Sequence, residues 1–161
     1  MTETNLNISA DEIASTTTGE PVITQAPTDI TEKVRCFPND YLITGYRTVD
    51  GFRDPRYVMS YAEEIAATLA PMEMAYFWTY YREVDSVRHL TWTYSGEPWV
   101  TFEDQKLLLA QLTARSAHAV YAGKAPAFFH EFMQRNYDVV TDPDTFRCFC
   151  DHMEAIYCLM K

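Results

Sequence analysis

Residues 73–102 read EMAYFWTYYREVDSVRHLTWTYSGEPWVTF, and the fold expected of the chain turns on this stretch. All three tryptophans and four of the eleven tyrosines fall inside it. Segments 76–84 and 87–94 are dense in aromatic and β-branched residues, which suit a pleated, half-buried surface. Sorted by parity, the first carries Tyr76, Trp78, Tyr80, Arg82 and Val84 on one side and Phe77, Thr79, Tyr81 and Glu83 on the other. The second carries Arg88, Leu90, Trp92 and Tyr94 against Val87, His89, Thr91 and Thr93. A period of two predicts extended backbone, and two such runs in succession predict an antiparallel hairpin.

The loop sets the register. A two-residue Asp85-Ser86 turn opposes Glu83 and Arg88, an ion pair worth ~0.2–1 kcal/mol. A three-residue loop, Asp85-Ser86-Val87, instead gathers Tyr76, Trp78, Tyr80, Leu90, Trp92 and Tyr94 on one face. Each such side chain contributes roughly 1.5–3 kcal/mol on burial, so burial favours the longer loop. Asp-Ser is also not among the usual two-residue hairpin turns. A helix over 73–84 is the competing reading.

Working outward, residues 41–49 (YLITGYRTV) predict a further strand, with Gly45 marking a bulge or a close backbone approach. Asp50-Gly51 signals a turn. Asp54-Pro55 is a helix cap followed by proline at the first helical position. Tyr57, Val58, Tyr61, Ala62, Ile65 and Leu69 then form one helical face, which Pro71 ends. On the other side, Gly96-Glu97-Pro98 turns the chain and residues 99–102 form a short edge strand. Thr101 and Asp104 have capping-box spacing ahead of a helix over 102–122, with Gly123 as its stop. Pro126 opens a helix to about Tyr137. Asp142-Pro143 repeats the cap-plus-proline device before a last amphipathic helix bearing Phe146, Phe149, Cys150, Met153, Tyr157 and Met160. The fold class expected is α+β: an antiparallel sheet of three or four strands with about four helices packed mainly on one face.

Residues 1–33 lack aromatics and periodicity, and read as a disordered acidic Ser/Thr-rich tail before a single domain over 34–161. The tail suits a tether, a sorting signal or a segment that folds on a partner. Of the net charge of −10, residues 1–32 hold −6, leaving the body mildly acidic. Nucleic-acid binding through a basic patch is therefore not expected. No apolar run approaches the ~18–20 residues of a membrane span, and no signal peptide is visible. The expected location is cytoplasmic. There Cys36, Cys148, Cys150 and Cys158 stay thiols, and their spacing suggests no disulfide framework.

Four constellations bear on chemistry. Cys148 and His152 are i and i+4 on a helix and form a weak metal pair; a site needs at least one more ligand, for which His118 and His130 are candidates. The spacing matches no standard zinc pattern, and free cysteines are usually small buried packing residues. No metal or cofactor is therefore expected. His130-Glu131 lacks the second histidine of a metalloprotease helix, because position 134 is Gln134. Arg82, Glu83, Asp85 and His89 cluster at the expected hairpin tip, where charged residues are more often a solvated end than an acid–base pair. Finally, the outer face of the hairpin presents Phe77, Thr79, Tyr81, His89, Thr91 and Thr93, an aromatic and threonine surface suited to recognition.

The chain therefore reads as a non-enzymatic protein-binding module: an adaptor, inhibitor or accessory factor whose partner is another protein. The last helix could also serve as a homo-oligomer seam. The alternative is a small enzyme or ligand-binding domain with its pocket between sheet and helices, using His89, tyrosines or the C-terminal thiols.

Overall fold

A computed structural model describes residues 37–91 and 100–160. It contains five α-helices: α1 (Ser60–Leu69), α2 (Met74–Thr91), α3 (Phe102–Tyr121), α4 (Ala127–Val139) and α5 (Pro143–Leu159). A 3-10 turn, Pro55–Val58, precedes α1. Among the described residues there is no β-strand; the only ladder contact is an isolated antiparallel bridge between Arg47 and Arg53. The α+β expectation is thus overturned, and the fold is helical.

The central correction falls on α2. Phe77, Tyr80, Tyr81 and Val84 are buried at 0 to 8% exposure, spaced i, i+3, i+4 and i+7. Trp78, Arg82 and Ser86 face outward. Parity misled because five of residues 76–81 are aromatic, so almost any period finds a match there. Strand preference is largely a preference for packed, half-buried surface, and a helix face against a core supplies that surface equally well. The ion pairs follow the helix. Arg88 binds Asp85 one turn back at 2.8 Å, and Glu83 pairs with Arg115 of α3 rather than across a hairpin.

The strand expected over 41–49 is also absent. Tyr41 and Tyr46 are both buried although their parities differ, so an alternating strand could not bury both. The segment turns instead, with Leu42 (φ 61°) and Gly45 (φ 66°) in left-handed backbone. Of the proposed edge strand over 99–102, residue 99 and the 96–98 turn lie outside the described residues, Thr101 caps α3 and Phe102 begins it. The 1–33 tail, Cys36, Trp92, Thr93 and Tyr94 also lie outside them.

The helix ends behave as their residues require. Thr101 Oγ accepts from the Asp104 amide and Asp104 accepts from the Thr101 amide, closing a capping box at 3.2 and 3.0 Å. Gly123, at φ 69°, lets the Lys124 amide reach the Ala119 carbonyl at 2.9 Å, satisfying α3's last turn. Asp142 caps α5 through the Thr145 amide, with Pro143 at the first position. At α1, Asp54 caps only the 3-10 turn; Met59 breaks the backbone before the α-helix begins.

The core sits around α5. Phe146, Phe149, Cys150, Met153 and Ile156 are buried, and α5 packs against α1, α2, α3 and the 3-10 turn. The apolar face that might have served as an oligomer seam therefore points largely inward. α3 and α4, joined by residues 122–126, pack on each other through Leu109, Leu112, Phe129 and Phe132.

Candidate functional site

Segment 37–58 wraps over α4 and α5 with two unlike sides. Its inward side is polar yet buried. The carbonyl oxygen of Tyr57 can only accept, so the His152 Nδ1 that meets it must carry the ring proton. His152 Nε2 is then a bare acceptor and takes the Tyr41 hydroxyl at 3.0 Å. The Tyr41 oxygen accepts from Asn136 Nδ2 at 3.2 Å, and that amide also donates to the Phe132 carbonyl at 2.7 Å. Asn136 Oδ1 accepts the Tyr46 hydroxyl. The set closes with each donor matched to an acceptor. His152, Asn136 and Tyr46 are at most 1% exposed. Burial lowers the His152 pKa to about 4 and raises those of Tyr41 and Tyr46 well above their usual value, so all three stay neutral at pH 7.

A satisfied, closed network of this kind rigidifies the core and fixes segment 37–58 against α4 and α5. It also decides the metal question for His152, whose two nitrogens are both engaged. Cys148 is buried beside Arg53; burial pushes its thiol pKa up and only Coulombic attraction to the arginines opposes this. Cys150 is pushed further up by burial. Neither is poised as a thiolate nucleophile. His118 is exposed on α3, and His130 Nδ1 meets the fully buried Ser116 hydroxyl at 2.9 Å. Among the described residues no three His, Cys, Asp or Glu side chains come together as a metal site.

The proposed recognition face is not assembled. Phe77 is 0% exposed and Tyr81 8%, both turned into the core; Tyr81 stacks on Tyr157. Thr79 is half-buried, its hydroxyl donating to the Tyr76 carbonyl at 2.8 Å. His89 and Thr91 fall in the last turn of α2, and Thr93 lies outside the described residues. With no sheet among the described residues, the pocket expected between sheet and helices has no floor there. Arg82, Glu83 and Asp85 likewise lie within about one turn of α2 rather than at a hairpin tip.

The outward side of segment 37–58 is what sequence reasoning missed. Ile43, Val49 and Phe52 are 74, 90 and 74% exposed. Ile43 and Val49 line a cleft of about 430 Å³ with Thr44, Thr48 and Asp54, and Phe52 sits across a tight turn, its carbonyl accepting from the Thr48 amide at 2.7 Å. The loop beneath them is firmly held. The Tyr57 hydroxyl accepts the Leu42 amide at 2.9 Å and donates to the Gly45 carbonyl at 2.8 Å, substituting for ladder partners. Burial lifts the Tyr57 pKa to about 12, which keeps the hydroxyl able to donate. Arg47 and Arg53 both clamp Asp144 of α5, and Arg56 joins Asp40 to Asp54. Left-handed backbone at a leucine costs roughly 1–2 kcal/mol, and these contacts hold it there.

A single signal, Gly45 followed by Asp50-Gly51, marked this stretch as irregular; nothing local marked its apolar residues as exposed. No helix of the described residues is long and apolar enough to cross a membrane. No protein-family description, curated protein or solved structure matches the chain.

Proposed function

We propose that the protein is a non-enzymatic binding module, an adaptor, inhibitor or accessory factor, that docks another protein on the 43–52 loop. One observation carries the reading: three large apolar side chains stand 74 to 90% exposed on a loop pinned by a buried phenol and by two arginines on one carboxylate. Isolated exposed apolar residues are ordinary, but a group of them on an over-determined loop is the arrangement a preformed interface uses. A held loop loses little conformational entropy on docking, which favours affinity. The positive φ at Leu42 fits the same reading, because backbone strain gathers where function fixes the geometry. Free thiols at Cys148, Cys150 and Cys158 fit a reducing, cytoplasmic setting.

The test is photo-crosslinking in native cells with a benzophenone side chain at position 49, and at Glu131 as control. The reading expects one dominant adduct at 49, absent at 131, and lost when Ile43 and Phe52 are both serine. Equal labelling at both positions, or an adduct indifferent to those serines, would overturn it.

A further inference from the structure

A second surface, independent of the 43–52 loop, lies where α1 meets the end of α5. A cleft of about 390 Å³ opens there between α1, the 70–74 connection and the last turn of α5. Its lining is largely apolar: Ala67 and Ala70 on one wall, Met72, Met74, Leu159 and Met160 on the others, with Glu63 the one charged member. Three of the seven methionines of the chain meet at this place. Thioether side chains adapt to varied apolar shapes, and methionine-lined grooves suit incoming side chains of differing outline. Met74 and Leu159 are 46 and 37% exposed. Trp78, one turn beyond Met74, is 38% exposed and packs on Tyr157 with ring centroids 5.0 Å apart, extending the apolar strip past the mouth.

The one ionisable side chain that lines this cleft, Glu63, is acidic, as is Glu64 beside it on α1. Residues 57–81 contain Glu63, Glu64 and Glu73 and no Lys or Arg, whereas residues 148–161 contain Asp151, Glu154 and Lys161. Asp40, Asp54, Asp144, Asp151, Glu83, Glu131 and Glu154 each hold an arginine. Glu63, which lines the cleft, and the exposed Glu64 and Glu73 make no ion pair among the described residues. Lys124 lies in the neighbouring cleft beside Glu73.

We infer that this cleft docks a basic amphipathic helix of a partner protein, its apolar side chains entering between Ala67 and Met74 and its Lys or Arg residues meeting Glu63, Glu64 and Glu73. Other peptide modes fit poorly. Strand addition needs a sheet edge, and the described residues have none; polyproline grooves are lined by aromatic rings, and no ring lines this cleft.

The test titrates the full chain, with its methionine methyls 13C-labelled, against three 18-residue peptides. The first is an amphipathic Leu/Lys helix, the second its Leu/Glu counterpart, and the third a scramble of the first without an apolar face. The inference expects the Leu/Lys helix alone to bind, shifting the methyls of Met72, Met74 and Met160 while those of the core residues Met133 and Met153 stay in place. Ala67→Lys, a well-tolerated substitution at an exposed helical position, should weaken binding at least about tenfold, or about 1.4 kcal/mol. Glu63→Gln should weaken it less and flatten its salt dependence. Val49→Ser should leave it unchanged. Equal binding of the scramble would reduce the effect to net charge and overturn the inference. So would binding that survives Ala67→Lys. If the same methyls shift on raising the concentration of the protein alone, the occupant is a second copy and the inference fails.

Discussion

The two sides of segment 37–58 differ in kind although they share one backbone. On the inner side, Tyr41, Tyr46 and Tyr57 reach into the core and meet His152 and Asn136 in a closed set of hydrogen bonds. On the outer side, Ile43, Val49 and Phe52 reach into solvent and meet nothing that would bury them. Polar groups are inside and apolar groups outside, the reverse of the usual partition. The inner polar set is tolerable because every member has a partner, and its cost would return if one were removed. The outer apolar set stays largely in water and so gains little from burial on folding. One side should therefore govern stability and the other binding.

The largest effect should come from His152→Ala. It opens a cavity of about one ring, leaves the Tyr41 O–H without an acceptor and takes the ring N–H donor from the Tyr57 carbonyl. Large-to-small substitutions of this size cost about 3–5 kcal/mol. Urea unfolding followed by tyrosine and tryptophan fluorescence measures it. A loss under about 1 kcal/mol would mean that the inner set does not hold the segment, and the contrast between the two sides would break.

A smaller effect should appear with pH. The folded pKa of His152, about 4, lies below the unfolded value near 6.5. Between those values the unfolded chain binds a proton that the folded chain refuses. Stability should be level above pH 6.5 and fall as the pH drops toward 4. The full displacement corresponds to roughly 3 kcal/mol, as an order of magnitude. Asp40, Asp54 and Asp144 are held below 3.8 by their arginine and hydrogen-bond partners, so their losses come at lower pH. His152→Gln should flatten the slope between pH 6.5 and 4. His89, His118 and His130 are common to both proteins and cancel in the difference. An unchanged slope in the variant would assign the effect elsewhere.

What the sequence revealed was what its neighbours in sequence decide. The capping pair Thr101 and Asp104, the Asp142-Pro143 start and the Gly123 stop act within one turn, so their residues announce them. α2 was illegible for a specific reason: with Tyr76, Phe77, Trp78, Tyr80 and Tyr81 nearly adjacent, the choice between periods falls to whichever face finds a core. The 77, 80, 81, 84 spacing and the lack of a hairpin-forming dipeptide at 85–86 were the available helix signals. The inner junction joins residues 90 to 111 positions apart, and no local pattern predicts such a meeting. Leu42 hid its backbone because left-handed leucine is rare, whereas Gly45 advertised the same conformation. Ile43, Val49 and Phe52 look like core residues in any linear reading.

The smallest effect belongs to those three residues, and it is the most discriminating. Serine at positions 43, 49 and 52 removes apolar surface that is already in water, so the unfolding free energy should change by no more than about 0.5 kcal/mol per site. The Leu42 amide, the Gly45 carbonyl and the arginine clamps on Asp144 are untouched, so the loop should keep its shape. The unfolding midpoint and the amide exchange of residues 42–53 measure the two points. If the triple variant unfolds several kcal/mol more easily, the three side chains are buried in the folded protein in solution, against a part of the chain outside the described residues or against a second copy. They would then belong to the fold, and the division between a stabilising inner side and a binding outer side would not hold. If the triple variant keeps its stability while the position-49 adduct is lost from the protein carrying serine at 43 and 52, the division stands on both counts, because the apolar side chains of the loop would then matter to a partner and not to the fold.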